Sequence, residues 1–301
     1  MEIKKLSYLT AAMTLALGIT ACGGGGSDSA TVSSVGTASV GVITGFGSVF
    51  VNGVEYETSG SDIRRDGSPA SESDLAVGMV VEIIGTDDGV NGTAQSIVAN
   101  DEMEGMVLAN NIAPGATAGT LDIMGQTVTA NADMIFESKV PGINSVDQIA
   151  VNTIVEVSGF SDGNGNVTAT RIEVKAADLA GYLANHPNGV EVKGVVRTLD
   201  PGAMTFLLGS MTVDYSGATL DDNGSLADGR YVEVKSVAGI DASGNLVASK
   251  VELENEGEAG HHGDRDDELE IRATIATGFD GTAFILDGTR VIVDSSTELE
   301  D

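Results

Sequence analysis

Three histidines and a single cysteine are the residues of this 301-residue chain with the most obvious capacity for metal-binding or nucleophilic chemistry. His261 and His262 stand side by side, followed closely by Asp264, Asp266, Asp267 and Glu268. Imidazole beside carboxylate is a donor set for a transition metal. The run that holds them, NEGEAGHHGDRDDELE (255–270), reads equally as a solvated, charged linker, and nothing in it fixes a ligand geometry. No metal site is therefore assigned, and His261, His262, Asp264 and Asp266 stand only as weak candidates. His186 lies in the loop ANHPNG (184–189). The segment DGNGNVTATRIE (162–173) spaces Asp162, Asn164, Asn166 and Glu173 as a calcium loop spaces its oxygens, but Val167 takes the place of the glycine such a loop requires. A hairpin tip is the expectation there. GFGSVFVNG (45–53) lacks the Gly-Lys-Ser/Thr ending of a phosphate loop. Serines are scattered in loops, no His precedes His186, and carboxylate pairs are too common in so acidic a chain to single out a glycosidase pair. With no Trp, aromatic sugar-binding platforms are scarce, and Phe46, Phe50 and Tyr56 read as packing residues. No catalytic residue and no cofactor is expected, and the chain is not read as an enzyme.

The lone Cys22 cannot form a disulfide within the chain. Upstream of it, Lys4 and Lys5 precede LSYLTAAMTLALGITA (6–21), which carries no charge and ends in small residues, the pattern of a secretory signal. A spanning helix wants about 20 apolar residues, more than this segment offers. The sequence Ile19-Thr20-Ala21-Cys22 resembles the bacterial lipobox. The resemblance implies cleavage before Cys22 and lipidation of its thiol, with residues 1–21 as the signal peptide. Acyl chains bury methylenes at about 0.8 kcal/mol each, and more than one chain makes a stable anchor. Gly23, not Asp, follows the cysteine, which by the same resemblance favours an outer-membrane location, on the periplasmic or the cell-surface face. Residues 22–39 are rich in Gly and Ser and read as a flexible tether.

The formal net charge is −30. Such a chain repels phosphate backbones, so nucleic acid is not an expected partner. With 42% apolar residues, rich in Val and Ile at strand spacing, it should nevertheless fold. No cysteine is left for a disulfide framework or a cysteine-rich zinc site.

The elements that would carry any site repeat with a period of about 75 residues. GMVVEIIG (78–85), NTIVEVSG (152–159) and GRYVEVKS (229–236) share an aliphatic-Glu-aliphatic centre, with Glu82, Glu156 and Glu233 expected on the wet face of a half-buried strand. Each is followed by a turn rich in Asp, Gly and Asn and a second strand. The front half of each unit is a strand and a hairpin with Gly53, Gly125, Gly209 or Gly288 at its tip. Between the halves lies a turn-rich segment ending in an aliphatic residue, as in ESDLAVG (72–78). About five strands per unit suit a small closed barrel of the oligonucleotide/oligosaccharide-binding (OB) type, with an immunoglobulin-like sandwich as the alternative. The fold class is thus all-β, in tandem barrel modules at 40–102, 103–176 and 177–254. An acidic linker (255–268) and an incomplete fourth module (269–301) follow, and a longer parent protein is expected.

The Cys-Gly-rich start and the tandem copies of GVITGFGSVFVNG … GMVVEIIG … TAQSIVA resemble bacterial lipoproteins carrying domain of unknown function 5666, the first copy most closely, over roughly 40–301. The resemblance implies export and repeated β modules, and no activity. The expected role is a lipid-anchored envelope protein whose modules form a binding or scaffold array, with a spacer or a carbohydrate-binding adhesin as alternatives. The expected partners are the membrane, through the N-terminal lipid, and an envelope protein or glycan. The long second-copy loop ANNIAPGATAG (109–119) is the best contact candidate.

Overall fold

A computed structural model describes residues 37–162, 164–221 and 226–253, and the backbone of 270–272, 276–277, 283–286 and 289–292. The described residues are almost entirely in strands and the turns that join them, as the alternating aliphatic pattern requires.

Module 1 comprises β1 (Thr37–Phe46), β2 (Val49–Val51), β3 (Val54–Glu57), β4 (Asp62–Arg65), β5 (Ser68–Ala70), β6 (Val80–Asp87) and β7 (Asn91–Ala99). Five of these strands close on themselves. β1 pairs β2, β2 pairs β3, β3 pairs β7, β7 pairs β6, and β6 returns to β1. Every contact is antiparallel except that of β3 with β7, which is parallel. This closed five-stranded ring is the OB-type barrel, and closure removes the free edges that an open sheet of this size would expose. Ile43, Val49, Val51, Tyr56, Val81, Ile83 and Ile97 fill it. Leu75, at the end of the turn-rich segment, is buried with them. The Tyr56 hydroxyl donates to Asp87 at 3.0 Å.

The same ring recurs twice. Module 2 has β8 (Met103–Asn110), β9 (Gly119–Ile123), β10 (Gln126–Ala130), β11 (Ile135–Ser138), β12 (Ile154–Ser161) and β13 (Asn166–Ala176). Its ring runs β8–β9–β10–β13–β12–β8. A five-residue helix, α1 (Leu179–Leu183), follows. Module 3 has β14 (Val190–Asp200), β15 (Thr205–Leu208), β16 (Met211–Asp214), β17 (Thr219–Asp221), β18 (Tyr231–Ser236), β19 (Leu246–Val247) and β20 (Lys250–Leu253). Its ring closes through β19 and β20, two pieces of one interrupted strand.

Two features go beyond the sequence expectation. Each unit has more than five strands. β4, β11 and β17 lie in the segment read as a plain connection, and each adds in parallel to the last strand of its barrel. The barrels also adjoin without flexible spacers. β8 pairs antiparallel with β14, so modules 2 and 3 share one sheet, and their interiors form one continuous core.

Beyond module 3, β21 (Glu270–Arg272) runs parallel to the start of β1, and β22 (Ala276–Thr277), β23 (Ala283–Leu286) and β24 (Thr289–Ile292) form an antiparallel meander. Among the described residues no helix is long and apolar enough to cross a membrane.

Candidate functional site

The repeat glutamates are not on a wet face. Glu156 is 2% exposed, Glu233 is buried too, and Glu82 is half-buried. The register explains why this matters. On the outer face of modules 2 and 3, Glu137 stands opposite Glu173, Glu173 opposite Glu156, Glu156 opposite Glu104, and Glu104 opposite Glu191. The row then passes from Glu191 to Lys235 and on to Lys250. Five carboxylates directly across from one another would drive the strands apart if left uncompensated.

Compensation comes from cations one step along the strands. Lys175 Nζ reaches Glu156 Oε2 at 2.5 Å and lies 3.6 Å from Glu104. Arg171 pairs with Glu137 and Glu173, and Lys139 also reaches Glu173. Lys235 bridges Glu191 at 2.9 Å and contacts Glu233, which Lys193 approaches at 3.8 Å. Glu82, the module 1 counterpart, is flanked across the strands by Val40 and Val98, and its Oε1 is buried without a hydrogen-bond partner. Burial raises its pKa.

Two covers keep this face from water. The first is α1. Asp178 caps it, accepting from the Gly181 amide at 2.8 Å, which satisfies one of the orphan donors of the first turn. The helix brings Tyr182 down onto the ladder, where it is buried and its hydroxyl donates to Glu104. His186 stacks on the Tyr182 ring with centroids 4.1 Å apart and planes within 3°. The second cover is module 1. Arg65, from the β4–β5 hairpin, reaches Glu156 at 2.6 Å and Asp101 at 3.1 Å. Thr170 Oγ1 donates to the Gly78 carbonyl at 2.7 Å, and Arg171 Nη1 to that of Val77 at 3.3 Å.

Asp101, only 4% exposed, sits where the three modules meet. Its carboxylate accepts from Ser158 of module 2 at 2.6 Å and pairs with Arg65 of module 1, while its carbonyl accepts from Lys193 of module 3 at 2.9 Å. The electrostatics follow. Burial, then Glu156 and Asp66, pushes the Asp101 carboxyl well above the usual range, against Arg65 and Ser158. Burial raises Glu102 to about 7 against the pull of Lys193. Burial also raises Glu104, against Tyr182 and Lys175. Glu156 goes the other way, because Lys175 and Arg65 together outweigh its burial and hold it low.

Among the described residues no three His, Cys, Asp or Glu converge as metal ligands. The chemistry of the cluster is that of a buried ionic seam. Cys22, His261, His262, Asp264 and Asp266 lie outside the described residues. His186 belongs to the cover over the seam. In the 162–166 turn, Asp162 accepts from the Asn164 amide at 2.7 Å, the Asn166 amide at 3.1 Å and the Asn166 side chain at 2.8 Å. In the 241–245 turn Asp241 likewise accepts from the Ser243 amide and from the amide and side chain of Asn245, so the pattern is a turn motif. The 109–119 loop is tied down: Asn110 donates to the carbonyls of Val146 and Ile149, Asp147 accepts from the Gly115 amide, and Ile112 is buried. Tyr56 is core, Phe50 is half-buried, and Phe46 is 40% exposed.

The seam itself escaped sequence reasoning. Its signal was present: in a chain with 15 Lys and Arg, Lys175, Lys193, Arg171 and Lys235 all fall inside strands beside Glu.

Fold and seam together define a class: tandem OB-type barrels fused through buried ion pairs. The sequence matches the family Domain of unknown function (DUF5666) at 104–173 and at 193–252, which are barrels 2 and 3, the pair that shares a core. The matched copies are the second and third, not the first, although the first closes the same ring. No curated protein matches the chain.

Proposed function

We propose that this is a lipid-anchored envelope protein whose barrels form a stiff scaffold or spacer array, holding its surface loops at a set distance from the membrane. The observation that carries the stiffness is the three-module meeting point at Asp101, where modules joined by flexible linkers would have exposed, separately hydrated surfaces. The anchor rests on the resemblance of residues 19–22 to a lipobox.

Two measurements test the two halves of the reading. Cys22→Ser should move the chain from the membrane to the soluble fraction and block removal of residues 1–21. A processed, membrane-bound Cys22→Ser chain would end the anchoring reading. On that same background, spin labels at introduced exposed cysteines in modules 1 and 3 should give one narrow distance distribution by pulsed electron resonance. A broad distribution would mean swinging modules and would end the scaffold reading.

A further inference from the structure

The turn before β6 of module 1 docks on module 2. Module 2 carries the docking half of that contact again and module 3 the receiving half, both exposed. In module 1 the docking half is Val77-Gly78, whose carbonyls accept from Arg171 and Thr170. The receiving half is β11 beside β13, which fits a glycine closely: a Cβ on Gly78 would lie 3.0 Å from Ile135 Cβ and 3.1 Å from Arg171 Cβ. Position and register give the counterparts. Val151-Asn152 precedes β12 as Val77-Gly78 precedes β6, and the Asn152 amide donates to Val107 as the Gly78 amide donates to Ile43. Ile135, paired with Arg171, corresponds to Thr219, paired with Lys250, and Phe136 corresponds to Leu220. Arg171 is held by Glu137 and Glu173, and Lys250 in the same way by Asp221 and Glu252. We propose that the Val151-Asn152 turn of one copy docks on the β17–β20 face of a second copy, repeating between molecules the contact that modules 1 and 2 make within one.

Val151 is 54% exposed and Leu220 41%, whereas Gly78 is buried and Val77 and Phe136 are half-buried. A single exposed aliphatic residue needs no explanation, but these two fall on matching halves of an interface the chain already makes. The polar groups match as well. The Thr170 hydroxyl lies 2.7 Å from the Gly78 carbonyl and 3.1 Å from that of Ser158, while its counterpart Ser249 donates to the Lys235 carbonyl of its own module at 3.0 Å. The Lys250 ammonium has three donors, of which Asp221 and Glu252 take two, so a third can meet the Val151 carbonyl. Asn152 takes the left-handed backbone of Gly78, φ +73° against +92°. It brings a Cβ that Gly78 lacks, but Thr219 is smaller than Ile135 and Lys250 more flexible than Arg171, so the face can yield to it. The other modules are poorer partners. Module 1 has Ser96 where Arg171 and Lys250 stand, and β5 lies beyond its β4. The module 3 turn, Asp228-Gly229, would bring a carboxylate against Asp221 and Glu252. One turn buries less than the about 1,000 Å² of a stable interface, and the net charge of −30 opposes self-contact, so the association is weak and strengthens as salt screens the charge.

The docking goes beyond the scaffold reading and does not depend on it. The unsubstituted full chain in detergent should sediment above monomer mass as its concentration rises, and more so at about 0.5 M than at about 0.05 M salt. On the Cys22→Ser background, Asn152→Cys copies mixed with Thr219→Cys copies should form a mixed disulfide dimer, because the corresponding Cβ positions in the module 1–module 2 contact lie 3.0 Å apart. Copies of either variant alone should form far less. Adding Leu220→Asp to the Thr219→Cys copies should cut the yield by at least about tenfold, the effect of a charge where one aliphatic side chain is buried. Val90→Asp, at an exposed residue of module 1, should leave the yield unchanged. A monomer at every concentration and salt overturns the docking, and that result stands even if the cysteine variants fail to fold. Mixed disulfides no more abundant than those of either variant alone, or equal yields with Leu220→Asp and Val90→Asp, also overturn it. A monomer with narrow inter-module distances would remove the docking and keep the scaffold. Mixed disulfides with broad distances would keep the docking and remove the scaffold.

Discussion

Arg65→Met should destabilise the join between modules 1 and 2 by about 3 kcal/mol, the low end of the usual cost of leaving a buried ion without its partner. Arg65 is the cation module 1 contributes to Glu156 and Asp101. Glu156 keeps Lys175, so its loss is partial, but Asp101 keeps only hydrogen-bonding partners, Ser158 among them. The methionine stem replaces the packing of the arginine stem, so the change isolates charge from volume. Adding Asp101→Asn to Arg65→Met should recover a large part of the loss, since the second substitution removes the stranded charge. A double-mutant cycle in urea reads the coupling, which should exceed about 1 kcal/mol for residues in direct ionic contact. Because three barrels need not unfold in one step, the transition should be followed by a module 1 probe as well as a global one. Coupling below about 0.5 kcal/mol would mean that water reaches Asp101 and that the seam is not buried in solution.

How much of this was legible beforehand depends on the distance over which each feature is decided. The barrels were legible because alternation is local: Val81, Ile83, Val155 and Val157 point inward whatever lies outside. The hairpins were legible because Asn52-Gly53 and Met124-Gly125 both take positive φ, the geometry of a two-residue hairpin tip. The seam was not legible, because periodicity tells which residues leave the barrel and not what covers them. Glu156 alternates as a solvent-facing residue should, and it is buried by a hairpin some 90 residues upstream and a helix downstream, neither of which its own strand specifies. The strands β4, β11 and β17 escaped for a related reason. They are short, largely exposed segments, each with a parallel partner distant in the chain. Cys22 stands at the opposite extreme, since its expected role follows from neighbours in sequence alone and owes nothing to the fold.

Gly53 and Gly125 occupy the same hairpin tip in modules 1 and 2 with nearly the same backbone, φ +82° and +81°, and yet should answer substitution very differently. A Cβ on Gly53 would meet nothing within 4 Å. Gly53→Ala should therefore cost only the left-handed strain of an L-residue, about 1–2 kcal/mol. A Cβ on Gly125 would lie 2.4 Å from Met211 Cβ and 2.5 Å from the Met211 amide nitrogen. These atoms are backbone or fixed to it, so no rotamer change can clear them. The only relief is to draw β16 away, and that strains the bond from the Ser210 amide to the Gly125 carbonyl, 2.9 Å long, which ties the tip of module 2 to the tip of module 3. Overpacking of this kind adds about 1–3 kcal/mol to the strain, for a total of about 2–5 kcal/mol. Asparagine separates the two contributions, because it tolerates positive φ but still carries a Cβ. Gly53→Asn should be nearly neutral in thermal melting, and Gly125→Asn should remain strongly destabilising. Equal losses at the two positions would mean that the tips of modules 2 and 3 do not touch in solution, and the shared core beneath them would then have to hold the pair without that contact.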